Sequence, residues 1–194
     1  KSAQVVPLIE SLEYGAEEPT AIDVGGGSMS FVRDVRLPGN WWRRMAVANV
    51  DITAYEHQSG NRLGIEVDIE DLVADAAPIA QAGLEMFLSD RTRPPQAVGA
   101  DLIVYSDVLN YVPYKDTIIW FDRMLTPGGF TVIVNMPGRG FPTLFSEQGV
   151  TSNRSLIDFM TEELGHGLLT TNCPRLSGEH DTSLLVMATQ KPLR

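Results

Sequence analysis

The chain has 194 residues, which is enough for one well-buried hydrophobic core but short for two. Its hydrophobic content of 43% is that of an ordinary globular protein, and no apolar run approaches the ~20 residues of a membrane-spanning helix. Its formal net charge of −10 argues against a nucleic-acid partner, because phosphates attract basic surfaces. We therefore expect a single domain over residues 1–194 that binds neither nucleic acid nor a membrane.

Cys173 is the only cysteine, which excludes an internal disulfide and a cysteine-based metal cluster. The pattern fits a reducing compartment, and we expect this thiol to be a small buried hydrophobe. No signal peptide is visible, so a cytoplasmic location is expected, although a start at Lys1 leaves an upstream segment open. No metal site is expected.

Helical and extended patterns alternate along the chain. Residues 1–18 are expected to form an N-terminal helical segment, and Ser28 or Ser30 is the expected N-cap of the next helix. Strands are predicted at 20–24, 45–53, 63–72, 100–109, 130–135, 167–174 and 183–190, and helices within 2–13, 28–37, 71–93, 115–125 and 152–164. This alternation predicts an α/β fold, a doubly wound and mostly parallel sheet with helices on both faces and a C-terminal antiparallel hairpin.

Three consecutive glycines, Gly25, Gly26 and Gly27, follow the first predicted strand. Glycine loses more backbone entropy on folding than any other residue, so the run suggests that something lies very close to the main chain. A tight turn between strand and helix gives the same pattern. In an open parallel sheet, however, ligands bind beyond the carboxyl ends of the strands, where these glycines are expected.

Acids stand at the ends of the first three predicted strands, at Asp23, Asp51 and Asp68. At that edge of the sheet, Asp51 is placed to accept hydrogen bonds from a ribose diol. Asp68 is placed to accept one from an exocyclic adenine amine. Together the three carboxylates predict a nucleoside-type ligand, although each one alone is more typical of a helix cap or a solvated turn.

Five segments in this order resemble the motifs of class I S-adenosylmethionine-dependent methyltransferases. They are AIDVGGGS (21–28), VANVDIT (47–53), EVDIEDL (66–72), ADLIVYSDVLNYV (100–112) and FDRMLTPGGFTVIVN (121–135). The resemblance extends from about Ala21 to Lys191 and implies a Rossmann-like seven-stranded sheet whose last strand is reversed. It also implies S-adenosylmethionine as cofactor and S-adenosylhomocysteine as product. The residues that it assigns to the cofactor are Asp23, Gly25, Gly26, Gly27, Asp51, Ile52, Asp68, Ile69 and Ser106.

A nicotinamide dinucleotide site is the main alternative on the same type of fold. Its GxGxxG or GxGxxA fingerprint is matched by Gly25 and Gly27 and fails at the third position, where Ser30 stands. The PGG run at 127–129 and the terminal hairpin favour the methyltransferase. A cofactor-binding but inactive partner protein is a further alternative, as is a methyltransferase that reaches a protein or nucleic acid through a docking partner.

Methyl transfer requires alignment of nucleophile, methyl group and sulfur, and a strongly basic nucleophile needs no general base. The loop after the fourth strand lies on the expected active face and contributes Asp107 and Tyr111 as catalytic candidates. His180 is a third candidate, and His57 lies on the same face. His166 precedes a strand and is expected at the opposite end of the sheet.

Asn110, Arg139 and Phe141 are the candidate substrate-binding residues. We expect the loops at 106–112 and 135–145 to control substrate choice rather than cofactor affinity. The competing hypothesis makes the second loop a stiff connector with Phe141 in the core. The absence of a large insertion and the acidic charge favour a small-molecule acceptor, and a monomer or homodimer is expected. The run WWRR at 41–44 is assigned to packing or an oligomer contact.

Overall fold

A computed structural model describes residues 2–16, 18–27, 45–53, 62–91, 98–173 and 181–193. The predicted helix over 28–37, with Ser28 and Ser30, and the WWRR run lie outside these residues. The strands are β1 (Thr20–Val24), β2 (Ala46–Asp51), β3 (Arg62–Glu66), β4 (Ala100–Ser106), β5 (Leu125–Asn135), β6 (Gly167–Thr171) and β7 (Leu185–Gln190). The helices are α1 (Ser2–Glu10), α2 (Ile69–Val73), α3 (Pro78–Arg91), α4 (Tyr114–Asp122) and α5 (Asn153–Asp158). A 3₁₀ turn at Pro142–Leu144 follows β5, and a π-helical turn at Phe159–Glu163 continues α5.

The described strands form one seven-stranded sheet in the order β3-β2-β1-β4-β5-β7-β6. Neighbouring strands from β3 to β5 pair in parallel, whereas β7 runs antiparallel to both β5 and β6. The expected α/β class and the C-terminal hairpin are therefore confirmed.

Both faces of the sheet are buried, which explains why its central strands are apolar along most of their length. Ile22 and Val24 of β1 belong to a core that also contains residues of α2 to α5. Ala21 belongs to a second core, which includes Val5 and Ile9 of α1. Alternate residues of β1 therefore pack against helices on opposite faces, as a doubly wound sheet requires.

Several predicted boundaries are wrong, and two of the corrections affect the site. β3 ends at Glu66, and Asp68 is instead the N-cap of α2. β4 ends at Ser106 rather than at 109, because Asp107 adopts a left-handed φ of 55° that a strand cannot continue. The single helix predicted over 71–93 is two helices, since Asp75 has a φ of 56° and Pro78 begins α3. In addition, β5 begins at Leu125, five residues earlier than the 130 predicted.

Cys173 is free and buried, as expected of a small hydrophobe. In the part of the chain that the structure describes, no helix combines the length and the apolar character needed to cross a membrane.

Candidate functional site

A cavity of about 670 Å³ lies where the carboxyl ends of β1, β2 and β4 meet the start of α2. Its volume is within the ~300–1,000 Å³ of small-molecule sites. The residues that line it are Gly25, Asp51, Ile52, Asp68, Ile69, Ser106, Asp107, Val108, Tyr111, Val112, Arg139, Gly140 and Leu144. The fold thus brings most of the residues proposed from the sequence to one concave surface.

The glycine run is required by the packing of the protein itself at two of its three positions. Gly25 has a φ of +69°, and a Cβ there would overlap the side chain of Val108. A Cβ on Gly26 would overlap the carboxylate of Asp23, which is completely buried below the loop. Gly27 has a φ of +58° but faces open space. Gly25 lines the cavity, whereas Asp23, Gly26 and Gly27 are not among the residues that line it.

Asp51 connects the end of β2 to the glycine loop. Its Oδ2 accepts a hydrogen bond from the Gly27 N–H at 2.9 Å. Its Oδ1 accepts from the N–H and the hydroxyl of Thr53, at 2.7 and 2.8 Å. Each carboxylate oxygen has about two acceptor positions, so Oδ2 retains one that a hydroxyl in the cavity can use.

Asp68 and two isoleucines form the adjacent wall. The Oδ1 of Asp68 accepts from the Glu70 N–H at 2.9 Å, which caps α2 and leaves Oδ2 for another donor. Ile69 is buried, but Ile52 is 63% exposed and also lines the cavity. An exposed isoleucine beside two carboxylates suits a ligand with a flat apolar ring and polar edges.

Asp107 is held in an unfavourable backbone conformation at the edge of the cavity. A left-handed φ of 55° at a residue other than glycine costs about 1–3 kcal/mol. The neighbouring segment stabilises it, since its N–H donates to the Val134 carbonyl at 2.8 Å. Its Oδ1 also accepts from the Met136 N–H at 3.2 Å. This left-handed conformation ends β4, and three of the residues that follow, Val108, Tyr111 and Val112, line the cavity.

Asn110 joins the loop after β4 to the loop after β5. It is 2% exposed, and its Nδ2 donates to the carbonyls of Met136 and Arg139 at 2.9 and 3.1 Å. Its Oδ1 accepts from Nδ2 of Asn135, itself completely buried, at 3.0 Å. Asn110 does not line the cavity, so its predicted contact with substrate gives way to a role in holding the loop.

Tyr111 fixes the same loop at a second point. Its hydroxyl accepts from the Phe141 N–H at 3.2 Å, and its ring packs edge-on against Phe145. A Cβ on Gly140, whose φ is +124°, would overlap that hydroxyl. Tyr111 remains a cavity-lining residue, and only glycine fits beneath it.

Two large apolar residues of this loop are exposed. Phe141 is 69% exposed and Leu144 is 65% exposed, and of the two only Leu144 lines the cavity. The hypothesis of a stiff connector with Phe141 in the core is therefore wrong. The hydrogen bonds made by Asn110 and Tyr111, rather than a buried ring, hold the loop.

Charge is distributed unevenly around the cavity. Asp51, Asp68 and Asp107 carry carboxylates, and Arg139 carries a guanidinium. Among the described residues, no group of three or more histidine, cysteine or acidic side chains is placed to hold a metal ion. His180 and His57 lie outside the described ranges.

Two residues that support the loops around the cavity were not predicted from the sequence. Asn49 is completely buried in β2, and its Nδ2 donates to the Gly27 carbonyl at 2.8 Å. Asn135 ends β5 and anchors Asn110. Their signal is an asparagine inside an otherwise apolar strand, in VANVD and in TVIVN, because a buried amide has to find hydrogen-bond partners.

His166 lies at the opposite end of the sheet, as predicted, within a polar cluster. Its Nδ1 contacts the Thr189 hydroxyl at 3.1 Å, and its Nε2 contacts Asp122 Oδ1 at 3.0 Å. Lys191 Nζ pairs with Asp122 Oδ2 at 3.0 Å and donates to the carbonyls of Asp122 and Leu125. Burial acts to raise the pKa of Asp122, but the bonds from His166 and Lys191 outweigh it and hold that pKa below its ordinary value of 3.8.

The strand order, the reversed β7 and the cavity beyond β1, β2 and β4 together define the class I S-adenosylmethionine-dependent methyltransferase fold. One similar solved structure is the N-methyltransferase NodS from Bradyrhizobium japonicum WM9. It is 15% identical over 98% of this chain and 94% of that chain, with a TM-score of 0.58. NodS has also been solved in complex with S-adenosyl-L-homocysteine, with a TM-score of 0.59.

Two further structures have the same fold and other acceptor atoms in their names. The CurJ carbon methyltransferase is 17% identical over 97% of this chain and 52% of that chain, with a TM-score of 0.60. An O-methyltransferase family protein from Burkholderia thailandensis is 15% identical over 98% of this chain and 56% of that chain, with a TM-score of 0.59. The chain therefore spans little more than half the length of these two proteins. No family profile and no curated protein sequence matches the chain.

Proposed function

We propose that the protein is a methyltransferase that transfers a methyl group from S-adenosylmethionine to an oxygen, nitrogen or carbon atom of a small molecule. The observation that carries this proposal is the cavity of about 670 Å³ at the carboxyl ends of the parallel strands. There, Asp51 and Asp68 keep acceptor positions beside the apolar surface of Ile52. These two acceptors and this apolar surface fit an adenosine, whose ribose hydroxyl would donate to Asp51, whose amine would donate to Asp68 and whose ring would pack on Ile52.

The role of the chain in the reaction is mainly positional. The bound cofactor supplies an activated methyl group on a sulfonium sulfur. Ser106 and Gly25 line the same cavity and bound the space for the methionine part. An amine acceptor in its neutral form needs no general base, whereas a hydroxyl acceptor would give up its proton to the carboxylate of Asp107, which borders the cavity on the loop side. The phenol of Tyr111 borders the same side and would orient the acceptor by a hydrogen bond rather than take its proton.

A nicotinamide dinucleotide is a weaker fit to the sheet. Dinucleotide-binding sheets have the order 3-2-1-4-5-6, built from two βαβαβ halves. Here β7 lies between β5 and β6 and runs antiparallel to both. The first strand has the same surroundings in both folds, so the glycines alone do not discriminate between them.

An inactive cofactor-binding partner is the second candidate. The strain at Asp107 favours the enzyme, because a backbone held in a costly conformation at a cavity is typical of catalytic and binding sites. A buried, free Cys173 supports a reducing compartment, and we retain the proposal of a cytoplasmic location.

Two experiments, performed one after the other, test the function. Isothermal titration with S-adenosylhomocysteine should give a saturable signal that NAD⁺ does not give. Radiolabelled methyl transfer into a size-fractionated lysate should then label the small-molecule fraction. Binding of NAD⁺ in place of S-adenosylhomocysteine would contradict the cofactor, and cofactor binding without label in any fraction would support the inactive partner.

A further inference from the structure

The loop side of the cavity differs in charge from the cofactor side. Arg139 is the one cationic side chain among the described residues that line the cavity, against the carboxylates of Asp51, Asp68 and Asp107. With these carboxylates and a net charge of −10, an anionic ligand group is repelled unless a cation faces it. Arg139 is the residue that can supply this attraction.

The guanidinium of Arg139 is accessible to a ligand. It is exposed and forms no ion pair with another described residue. A guanidinium presents a planar fork of donors that matches the two oxygens of a carboxylate or a phosphate.

The main chain at Arg139 is held in place although it belongs to a surface loop. Its N–H donates to the Met136 carbonyl at 3.1 Å, and its carbonyl accepts from Nδ2 of the buried Asn110 at 3.1 Å. The next residue, Gly140, is confined beneath the Tyr111 hydroxyl. These contacts fix the main chain from which the guanidinium extends, so less conformational freedom is lost when the side chain binds a ligand.

We propose, resting on the methyltransferase function above, that Arg139 binds an anionic oxygen group of the methyl acceptor, either a carboxylate or a phosphate. The apolar body of the acceptor then packs on Leu144, which is 65% exposed at the cavity wall, and on the ring of Tyr111. The acceptor is a small amphipathic anion with its reactive atom directed toward the cofactor half. Tyr111 acts on recognition through the position of residues 139–141.

The test uses three probes that share a phenyl ring: benzoate, its neutral isostere benzamide, and phenyl phosphate. Each is titrated by calorimetry at millimolar concentration into the protein with and without saturating S-adenosylhomocysteine. We expect at least one of the two anions to bind about tenfold more tightly than neutral benzamide. Benzoate compared with phenyl phosphate identifies which anion the site prefers.

Arg139→Gln should reduce the anion-over-benzamide ratio to less than about twofold while S-adenosylhomocysteine affinity stays within about twofold. Arg123→Gln removes the same charge from an exposed arginine after α4 and should change neither value. Tyr111→Phe should lower the ratio partially at an unchanged melting temperature, which a purely structural role would not do.

Equal affinities for anions and benzamide in the wild-type protein, or no detectable binding of any probe, would overturn the proposal. So would an Arg139→Gln protein that binds S-adenosylhomocysteine weakly but 5′-methylthioadenosine normally, because Arg139 would then hold the carboxylate of the cofactor itself. Failure of the methyltransferase function gives a different result. In that case S-adenosylhomocysteine does not bind, while the titrations without it still measure the anion preference of Arg139.

Discussion

The two ends of the sheet use polar groups in opposite ways. At the end of the sheet where β6 begins and β7 ends, with Gly167 paired to Gln190, the side chains of Asp122, His166 and Lys191 bond to one another. At the carboxyl end, Asp51 and Asp68 each keep an oxygen with spare acceptor capacity beside an open cavity. Polar groups that saturate one another stabilise the fold, and polar groups with spare capacity mark a binding site. Substitutions of the polar side chains at the first end should therefore lower stability alone, whereas those at the carboxyl end should also lower ligand affinity.

The largest effect is expected at the glycine loop. Gly25→Ala adds left-handed strain and an overlap with Val108, and should lower the free energy of unfolding by about 2–5 kcal/mol. Gly27→Ala is the matched control, because it has a similar φ but faces open space and should cost only about 1–2 kcal/mol. Chemical denaturation measures both. Equal losses would mean that contact with Val108 does not determine the need for glycine.

Asp51→Ala should weaken ligand binding at the carboxyl end, in addition to removing the hydrogen bonds that Asp51 accepts from Gly27 and Thr53. Loss of a hydrogen bond from a ligand hydroxyl to a charged acceptor costs about 1.5–3 kcal/mol, or roughly 10- to 150-fold in affinity for S-adenosylhomocysteine. Asp116→Ala removes an equally charged, exposed side chain in the first turn of α4 and should leave the affinity unchanged. A titration in which the two variants bind alike would remove Asp51 from the site.

Asp122→Asn should lower stability and leave ligand binding unchanged. Loss of its charged bonds to His166 and Lys191 should lower the free energy of unfolding by about 1–3 kcal/mol near neutral pH, with no change in S-adenosylhomocysteine affinity. The pKa of Asp122 is depressed in the folded state, so its contribution is complete above the ordinary value of 3.8 and is lost as the pH falls through the folded value. The difference between the wild-type and variant melting temperatures should therefore begin to shrink as the pH falls below about 4, and should disappear once the pH is below the folded pKa of Asp122. A difference that stays constant into this acidic range would contradict the ion-pair account.

The smallest effect is expected for Phe141→Ala. The ring is 69% exposed, so its loss should change the free energy of unfolding by less than about 0.5 kcal/mol. Phe159→Ala, at a completely packed position of 2% exposure, provides the contrast and should cost about 3–5 kcal/mol. Thermal melting compares the two. A loss at Phe141 of similar size would restore the stiff-connector hypothesis.

The cofactor half of the cavity could be predicted because its information is local. Asp51 follows an apolar run directly, and parallel strands bring their carboxyl ends to one edge whatever the details of packing. The alternation of strand and helix likewise predicts the sheet. The reversal of β7 was implied by the resemblance to a family, and the order of the strands was not predicted, because periodicity alone does not specify it.

The loop half could not be predicted because its contacts are distant in sequence. Asn110 reaches Met136 and Arg139, and the reach depends on how β4 and β5 lie side by side. The left-handed φ of Asp107 has only a weak signal in its residue type, because aspartate tolerates this conformation better than most residues but adopts it only where the surrounding fold requires it. The exposure of Phe141 was equally undetermined, because an aromatic residue between glycine and proline suits either a core or a surface.

The most direct test of the central claim is a crystal structure of the protein with S-adenosylhomocysteine. We expect the ligand in the cavity of about 670 Å³, with a ribose hydroxyl within about 3 Å of Asp51 Oδ2 and the adenine beside Asp68 and Ile69. A second cavity of about 420 Å³ lies near Trp120 and Arg123, at the C-terminal end of α4. Occupancy of that cavity, or a ligand that makes no contact with Asp51, would contradict the account.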